Sequence, residues 1–185
     1  FSKAFTSNTK KESEIELTFF TESQPNIPIE KIISLNTLIC SSKHFIYRCY
    51  DHKSMKDIAL KLYPTHSQDA ERTFKSECRF KSLKHKNIVR VYRTGEQSIF
   101  NHKGKPVECS YMTMEYCPYG DINSMLQYIK FKNDEKLVRT LFHQLIDGIE
   151  FLHSKGIAHM DIKAGNLMLG ADFQLKIIDF DLSFQ

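Results

Sequence analysis

Tryptophan is absent from the 185 residues, glycine occurs seven times and proline five. That scarcity excludes a collagen-like or low-complexity chain. The five cysteines (Cys40, Cys49, Cys78, Cys109 and Cys117) are odd in number and include no C-x-x-C pair. Neither a disulfide framework nor a zinc site has that spacing, so reduced and mostly buried thiols are expected. The eight histidines form no H-E-x-x-H pair or other ligand pair on one helix face. No apolar run approaches the roughly 18 residues of a membrane span. Residues 1–16 are polar and mixed in charge, without the apolar core of a signal peptide. Charge of one sign is not in large excess either: 26 Lys and Arg against 22 Asp and Glu give a formal +4. That balance suits an anionic ligand and falls far short of a nucleic-acid-binding surface. The expectation is an intracellular protein, cytoplasmic or nuclear, with no nucleic-acid or membrane partner. Because the sequence begins at Phe1 rather than Met, a processed product or a fragment is expected.

The residues that are present divide the chain by character. Residues 1–30 are polar apart from one short apolar alternation and are broken by Pro25 and Pro28, the pattern of an extension. Short β-branched and aromatic runs follow, at Ile32-Ile33, Phe45-Ile46-Tyr47 and Ile58-Ala59-Leu60-Lys61-Leu62-Tyr63, separated by polar turns. They predict an antiparallel meander. Apolar Phe74, Cys78 and Leu83 predict one helix over 69–83, and strands are expected at 88–92 and 110–116 with Asn101-His102-Lys103-Gly104 near the hairpin tip. Beyond Pro118, a short helix is expected over 121–130 with Asp121 as its N-cap. A longer helix is expected over 134–153, with apolar Leu137, Leu141, Leu145, Ile149 and Leu152, ending at Lys155-Gly156. The class is α+β: a strand-rich half carrying one helix, then a helix-rich half.

The chemistry concentrates near the C-terminal end, in His159-Met160-Asp161-Ile162-Lys163-Ala164-Gly165-Asn166 and Ile178-Asp179-Phe180-Asp181. Phosphoryl transfer from a nucleotide asks for hard oxygen ligands to magnesium, a cation on the phosphates, and a carboxylate to orient a hydroxyl. Asp161, Asn166 and Asp179 offer the oxygens; Lys61 and Lys163 offer the cations.

In these motifs the chain resembles the eukaryotic protein kinases of the serine/threonine type, whose phosphoryl-transfer parts are well defined. The resemblance implies a two-lobed fold: a complete N-lobe with a five-stranded antiparallel sheet and one helix, and a partial helical C-lobe. The implied division is an extension over 1–30, N-lobe over 31–116 and partial C-lobe over 117–185. It implies ATP and Mg2+, with Lys61 on the α/β-phosphates, Asp161 as base, Lys163 beside it, and Asn166 and Asp179 on the metal. It also implies adenine between Ile46, Ala59 and Met168, Met114 as gatekeeper, the backbone of Glu115 and Cys117 facing adenine, and Asp121 near ribose. A protein substrate follows from the family.

Several departures qualify that expectation. The phosphate-covering loop has no glycine: Ile39, Ser41 and His44 fall on the three glycine positions, and close backbone approach to phosphate is hindered without them. The side chains of Ser41, Ser42 and His44 are the available substitutes. Glu77 lies one residue closer to His85 than the family spacing, which selects Ser76. Glu77 is nevertheless the expected partner of Lys61, because a one-residue loop change is cheaper than losing that partner. Met160 replaces the Arg of the catalytic loop, and Asp181 the Gly after Asp179-Phe180. The family's catalytic domain continues past this motif, so further C-terminal sequence or a partner chain is expected to complete the C-lobe and cover the 134–153 helix. The competing readings are a pseudokinase or scaffold with weak or no turnover, and a small-molecule phosphotransferase.

Overall fold

The computed structural model describes residues 33–40, 44–102, 105–128 and 134–185. The extension expected over 1–30 lies outside them, as do Ser41, Ser42 and the tip residues Lys103 and Gly104.

Five strands form one antiparallel sheet: β1 (Ile33–Cys40), β2 (Phe45–Asp51), β3 (Lys56–Pro64), β4 (Val91–His102) and β5 (Lys105–Glu115), in the order β1-β2-β3-β5-β4. The central strand β3 is buried continuously from Ile58 to Tyr63, because both faces of the sheet are covered there. Its two-residue period sorts the side chains. Ile58, Leu60 and Leu62 enter a core with Tyr47, Cys49, Cys109 and Tyr111. Ala59 and Lys61 line a cleft on the other face. Tyr63, on that same face, packs with Ala70, Phe74 and Met112 under the helix α1 (Gln68–Cys78). Burial pushes the Cys49 and Cys109 thiols up to about 12, so they behave as apolar core residues.

Helix α1 starts on the Ser67 side chain, which accepts from the Ala70 N–H, with Asp69 and Glu71 complementing the positive helix end. It ends at Cys78, earlier than the apolar spacing predicts. The Phe80, Lys81 and Leu83 amides each donate three residues back, to Glu77, Cys78 and Phe80. These tight turns hold Phe80 in the core and close the helix–strand connection more quickly than an α-helix would. The strand expected at 88–92 also starts later, at Val91; Ile88 makes only an isolated bridge to Ile177.

The second half contains α2 (Ile122–Tyr128), α3 (Glu135–Ser154), a 3₁₀ turn (Ala164–Asn166), and the hairpin of β6 (Leu167–Leu169) with β7 (Leu175–Ile177). Asp134 caps α3 by accepting from Leu137 N–H at 2.9 Å. At its end, Gly156 (φ 71°) and Ile157 donate to His153 and Leu152. That left-handed residue requires glycine, and the Ile157–Leu152 apolar contact completes the cap. Leu141 and Leu152 face the core with Leu167, Leu175 and Ile177. Val138, Phe142 and Ile146, spaced by four, stand exposed in a row along the flank of α3. No helix among the described residues is long and apolar enough to cross a membrane.

Candidate active site

Between the sheet and the β6–β7 hairpin lies a cleft of about 550 Å³. Antiparallel register builds its roof: Ile46 sits opposite Lys61 on β2 and β3, and Ala59 opposite Met114 on β3 and β5. Met168, bridged to Asp121, forms the floor. Ile39, His44, Glu77, Glu115, Cys117, Asn166 and Asp179 also line the cleft. The apolar walls suit a flat aromatic ring, and the polar groups gather at one end.

At that end the structure pairs Lys61 with Glu77: the ammonium donates to Glu77 Oε1 at 2.5 Å, both side chains being buried. Ser76 points elsewhere and donates to the Asp181 carbonyl at 2.8 Å. Burial raises the Glu77 carboxyl, while Lys61 and Tyr63 pull it back toward the ionised form. Removing one member of such a pair strands a buried charge, at about 3–5 kcal/mol. Lys61 Nζ also lies 3.8 Å from Asp179 Oδ1. Asp179 adopts a left-handed backbone (φ 65°), after which Phe180 turns inward between Phe80 and His159, at ring distances of 5.6 and 4.9 Å.

Asp161 and Lys163 stand beside the cleft, joined to it through Asn166. Asp161 Oδ2 accepts from Lys163 Nζ at 2.7 Å and from Asn166 Nδ2 at 2.8 Å. Lys163 first, with Asn166 adding to it, holds the Asp161 carboxyl below its ordinary value, so it is ionised at neutral pH. His159 supports the loop from beneath. Its Nδ1 accepts the Asp161 N–H at 3.3 Å, which places the ring proton on Nε2, donating to the Ile178 carbonyl at 3.0 Å. Burial lowers the His159 pKa and keeps this ring neutral.

The donor set fits magnesium with a triphosphate. Asn166 commits its amide nitrogen to Asp161, while its Oδ1 makes no hydrogen bond among the described residues. Asp179 adds a half-exposed carboxylate. Magnesium is commonly held by one or two protein oxygens, with phosphate oxygens and waters completing the shell. The described residues offer no cluster of three His, Cys, Asp or Glu that would hold a metal unaided. The hinge, the segment from Glu115 to Cys117 that leaves β5, fits adenine in the same way: the Glu115 N–H is bound to the Arg90 carbonyl at 2.8 Å, whereas the Cys117 N–H has no partner among the described residues. Burial pushes the Cys117 thiol up to about 12, leaving the residue a backbone role.

Other expected positions depart from the simple picture. His44 is buried, its ring 5.2 Å from that of Tyr63, and Ile39 is half exposed at the cleft mouth. Ser41 lies outside the described residues. Asp121 spends both carboxylate oxygens on Ser124, on its N–H at 2.8 Å and its hydroxyl at 2.7 Å, which is the capping role. Three residues escape the sequence reading. Tyr63 donates to Glu77 Oε2 at 2.6 Å; its place two residues after Lys61, on the same strand face, is the available signal. Lys176 interrupts the short apolar run Leu175-Lys176-Ile177, yet it is buried and paired with Glu115 Oε1 at 2.9 Å. Ser183, buried, donates to the His159 carbonyl at 3.2 Å; nothing in its spacing marks it.

The pattern of the protein kinase domain matches residues 42–185. A serine/threonine-protein kinase PLK4 of Xenopus tropicalis is 30% identical over 158 residues, covering 82% of this chain and 15% of that protein. A serine/threonine-protein kinase stk11 of Xenopus laevis is 38% identical over 102 residues, covering 55% of this chain and 22% of its own length. An interferon-induced, double-stranded RNA-activated protein kinase of Rattus norvegicus is 30% identical over 139 residues, 69% of this chain and 26% of that one. The chain belongs to the protein kinase family, and it spans between 15% and 26% of the length of these relatives.

Proposed function

We propose that the chain is the nucleotide-binding and catalytic front of a serine/threonine protein kinase, moving the γ-phosphate of ATP to a protein hydroxyl. The carrying observation is the convergence at one end of the apolar cleft: Lys61 bonded to Glu77 and 3.8 Å from Asp179, with Asp161 bonded to Asn166 beside them. Mg2+ held by Asn166 and Asp179 supplies neutralisation of phosphate charge. Lys61, kept in place by Glu77, binds the α/β-phosphates. Asp161 has Oδ1 left to accept a substrate hydroxyl, since Lys163 and Asn166 both donate to Oδ2. Lys163 keeps that carboxylate ionised and adds positive charge where phosphoryl charge develops. Ile46, Ala59 and Met168 hold the adenine ring, and the Glu115 and Cys117 backbone reads its edge. The lobes divide at 31–116 and 117–185. The exposed side of α3, with Val138, Phe142 and Ile146, is covered by further C-terminal sequence or by another chain.

The glycine-free loop favours the second reading, a pseudokinase, because a side chain at Ile39 limits backbone approach to phosphate. The names of the relatives weigh against a small-molecule phosphotransferase. The test uses the native polypeptide containing this sequence. Millimolar Mg-ATP raises its unfolding temperature, since a ligand bound only to the folded state stabilises by mass action. Asp161→Asn retains that shift and loses phosphate transfer by about 100-fold or more. No thermal shift with ATP sinks the nucleotide-binding claim. A shift without transfer, the same in Asp161→Asn, identifies a pseudokinase.

A further inference from the structure

We infer that Tyr63 is a positioning residue of the phosphate-binding lysine, acting through the second oxygen of Glu77; the inference rests on the function proposed above. Glu77 carries two oxygens in a buried setting, and Lys61 takes only Oε1. Tyr63 donates to Oε2 at 2.6 Å. A buried carboxylate oxygen without a donor is costly, and a lysine ammonium carries three donors that can serve either oxygen. With Oε2 occupied, the Lys61 ammonium is held to one side of the carboxylate, and its remaining protons stay free to reach toward Asp179, 3.8 Å away. Two charge-assisted bonds also fix the plane of the carboxylate, which a single lysine contact leaves free to rotate.

The surroundings make Tyr63 a rigid post. It is 1% exposed, and its ring lies 5.2 Å from both Phe74 of α1 and His44, just before β2. The Lys61 ammonium itself stands 5.2 Å from the ring centroid, within cation–π range. One side chain thus touches the phosphate-loop end, the helix that carries Glu77, and the lysine. Burial, with the Glu77 carboxylate adding to it, pushes the phenol well above its ordinary value, so it acts as a donor at any physiological pH.

The test is a double-mutant cycle in the native polypeptide containing this sequence. Tyr63→Phe keeps the ring and its packing and removes only the hydroxyl. It is expected to lower kcat by about tenfold to a hundredfold, the worth of one hydrogen bond to a charged group, with KM for ATP changed less than about twofold. In a Glu77→Ala background the same change is expected to do nothing further. A purely structural role predicts instead a lower unfolding temperature with kcat per folded molecule intact. Wild-type kcat in Tyr63→Phe, or equal effects in both backgrounds, overturns the inference. If the parent protein transfers no phosphate, the function proposed above fails, and hydrogen exchange of α1 decides this inference alone. Exchange around Glu77 that quickens in Tyr63→Phe but not on adding that change to Glu77→Ala supports it; unchanged exchange in both overturns it.

Discussion

Asp161 illustrates how one residue is tuned by neighbours two and five positions along the chain. Its carboxylate is ionised at neutral pH because Lys163, and secondarily Asn166, donate to Oδ2. The folded-state pKa is depressed, so the charged form persists to lower pH than in a free side chain. Lys163→Met removes the larger cause, and the carboxyl must then rise. The acid limb of kcat/KM is therefore expected to move to higher pH in Lys163→Met, read from a pH–rate profile on a peptide substrate. An unmoved limb would show that Asp161 is not the titrating base. This set is legible in the sequence, because Asp161, Lys163 and Asn166 lie within six residues and the loop brings neighbours together. Tyr63 and Lys176 are not, since each acts on a carboxylate from another element. A lysine within an apolar strand gives no local sign that Glu115 awaits it across the hinge.

At the scale of elements, the instructive case is α1. Apolar spacing places its end near Leu83, and family spacing points to Ser76 rather than Glu77 as the lysine's partner. The helix stops at Cys78 because tight i→i+3 turns follow, and those turns take up the one-residue difference. Such turns leave no sequence period, so only the geometry reveals which residue faces Lys61. Ser76 is then free for a separate role. Its hydroxyl donates to the Asp181 carbonyl at 2.8 Å, tying α1 to the segment that carries Asp179. Phe180 packing on Phe80 reinforces the tie from the apolar side. Ser76→Ala removes that hydrogen bond, which is worth about 1 kcal/mol. The expected result is that loss in urea unfolding, together with faster hydrogen exchange in α1. Identical exchange in the variant would mean that the tie does not hold the helix.

Across the whole molecule, the two halves meet at the motifs, where Lys61 approaches Asp179, and also where chain segments run side by side. The Ile177 N–H donates to the Asn87 carbonyl at 2.9 Å, and the Val89 N–H to the Ile177 carbonyl at 3.0 Å. This short ladder joins the segment entering β4 to β7, two residues before Asp179. Helix α3 lies against it at Gly148. A Cβ there would stand 2.8 Å from Ile177 Cδ1 and 3.3 Å from both the Asn87 Cβ and carbonyl oxygen. Ile177 and Asn87 are fully buried, so neither has room to yield. The competing terms have opposite signs. Replacing glycine in a helix interior gains up to about 1 kcal/mol of propensity with alanine, and less with a β-branched residue. Overpacking a filled core costs about 1–3 kcal/mol. Gly148→Val combines the smaller gain with the larger clash and is expected to lose about 2 kcal/mol in urea unfolding. Because the displaced ladder leads directly to Asp179, the remaining folded protein is also expected to bind Mg-ATP more weakly. A Gly148→Val protein as stable as the parent would show that α3 does not press on this ladder, and that the helix is free to shift without disturbing the site.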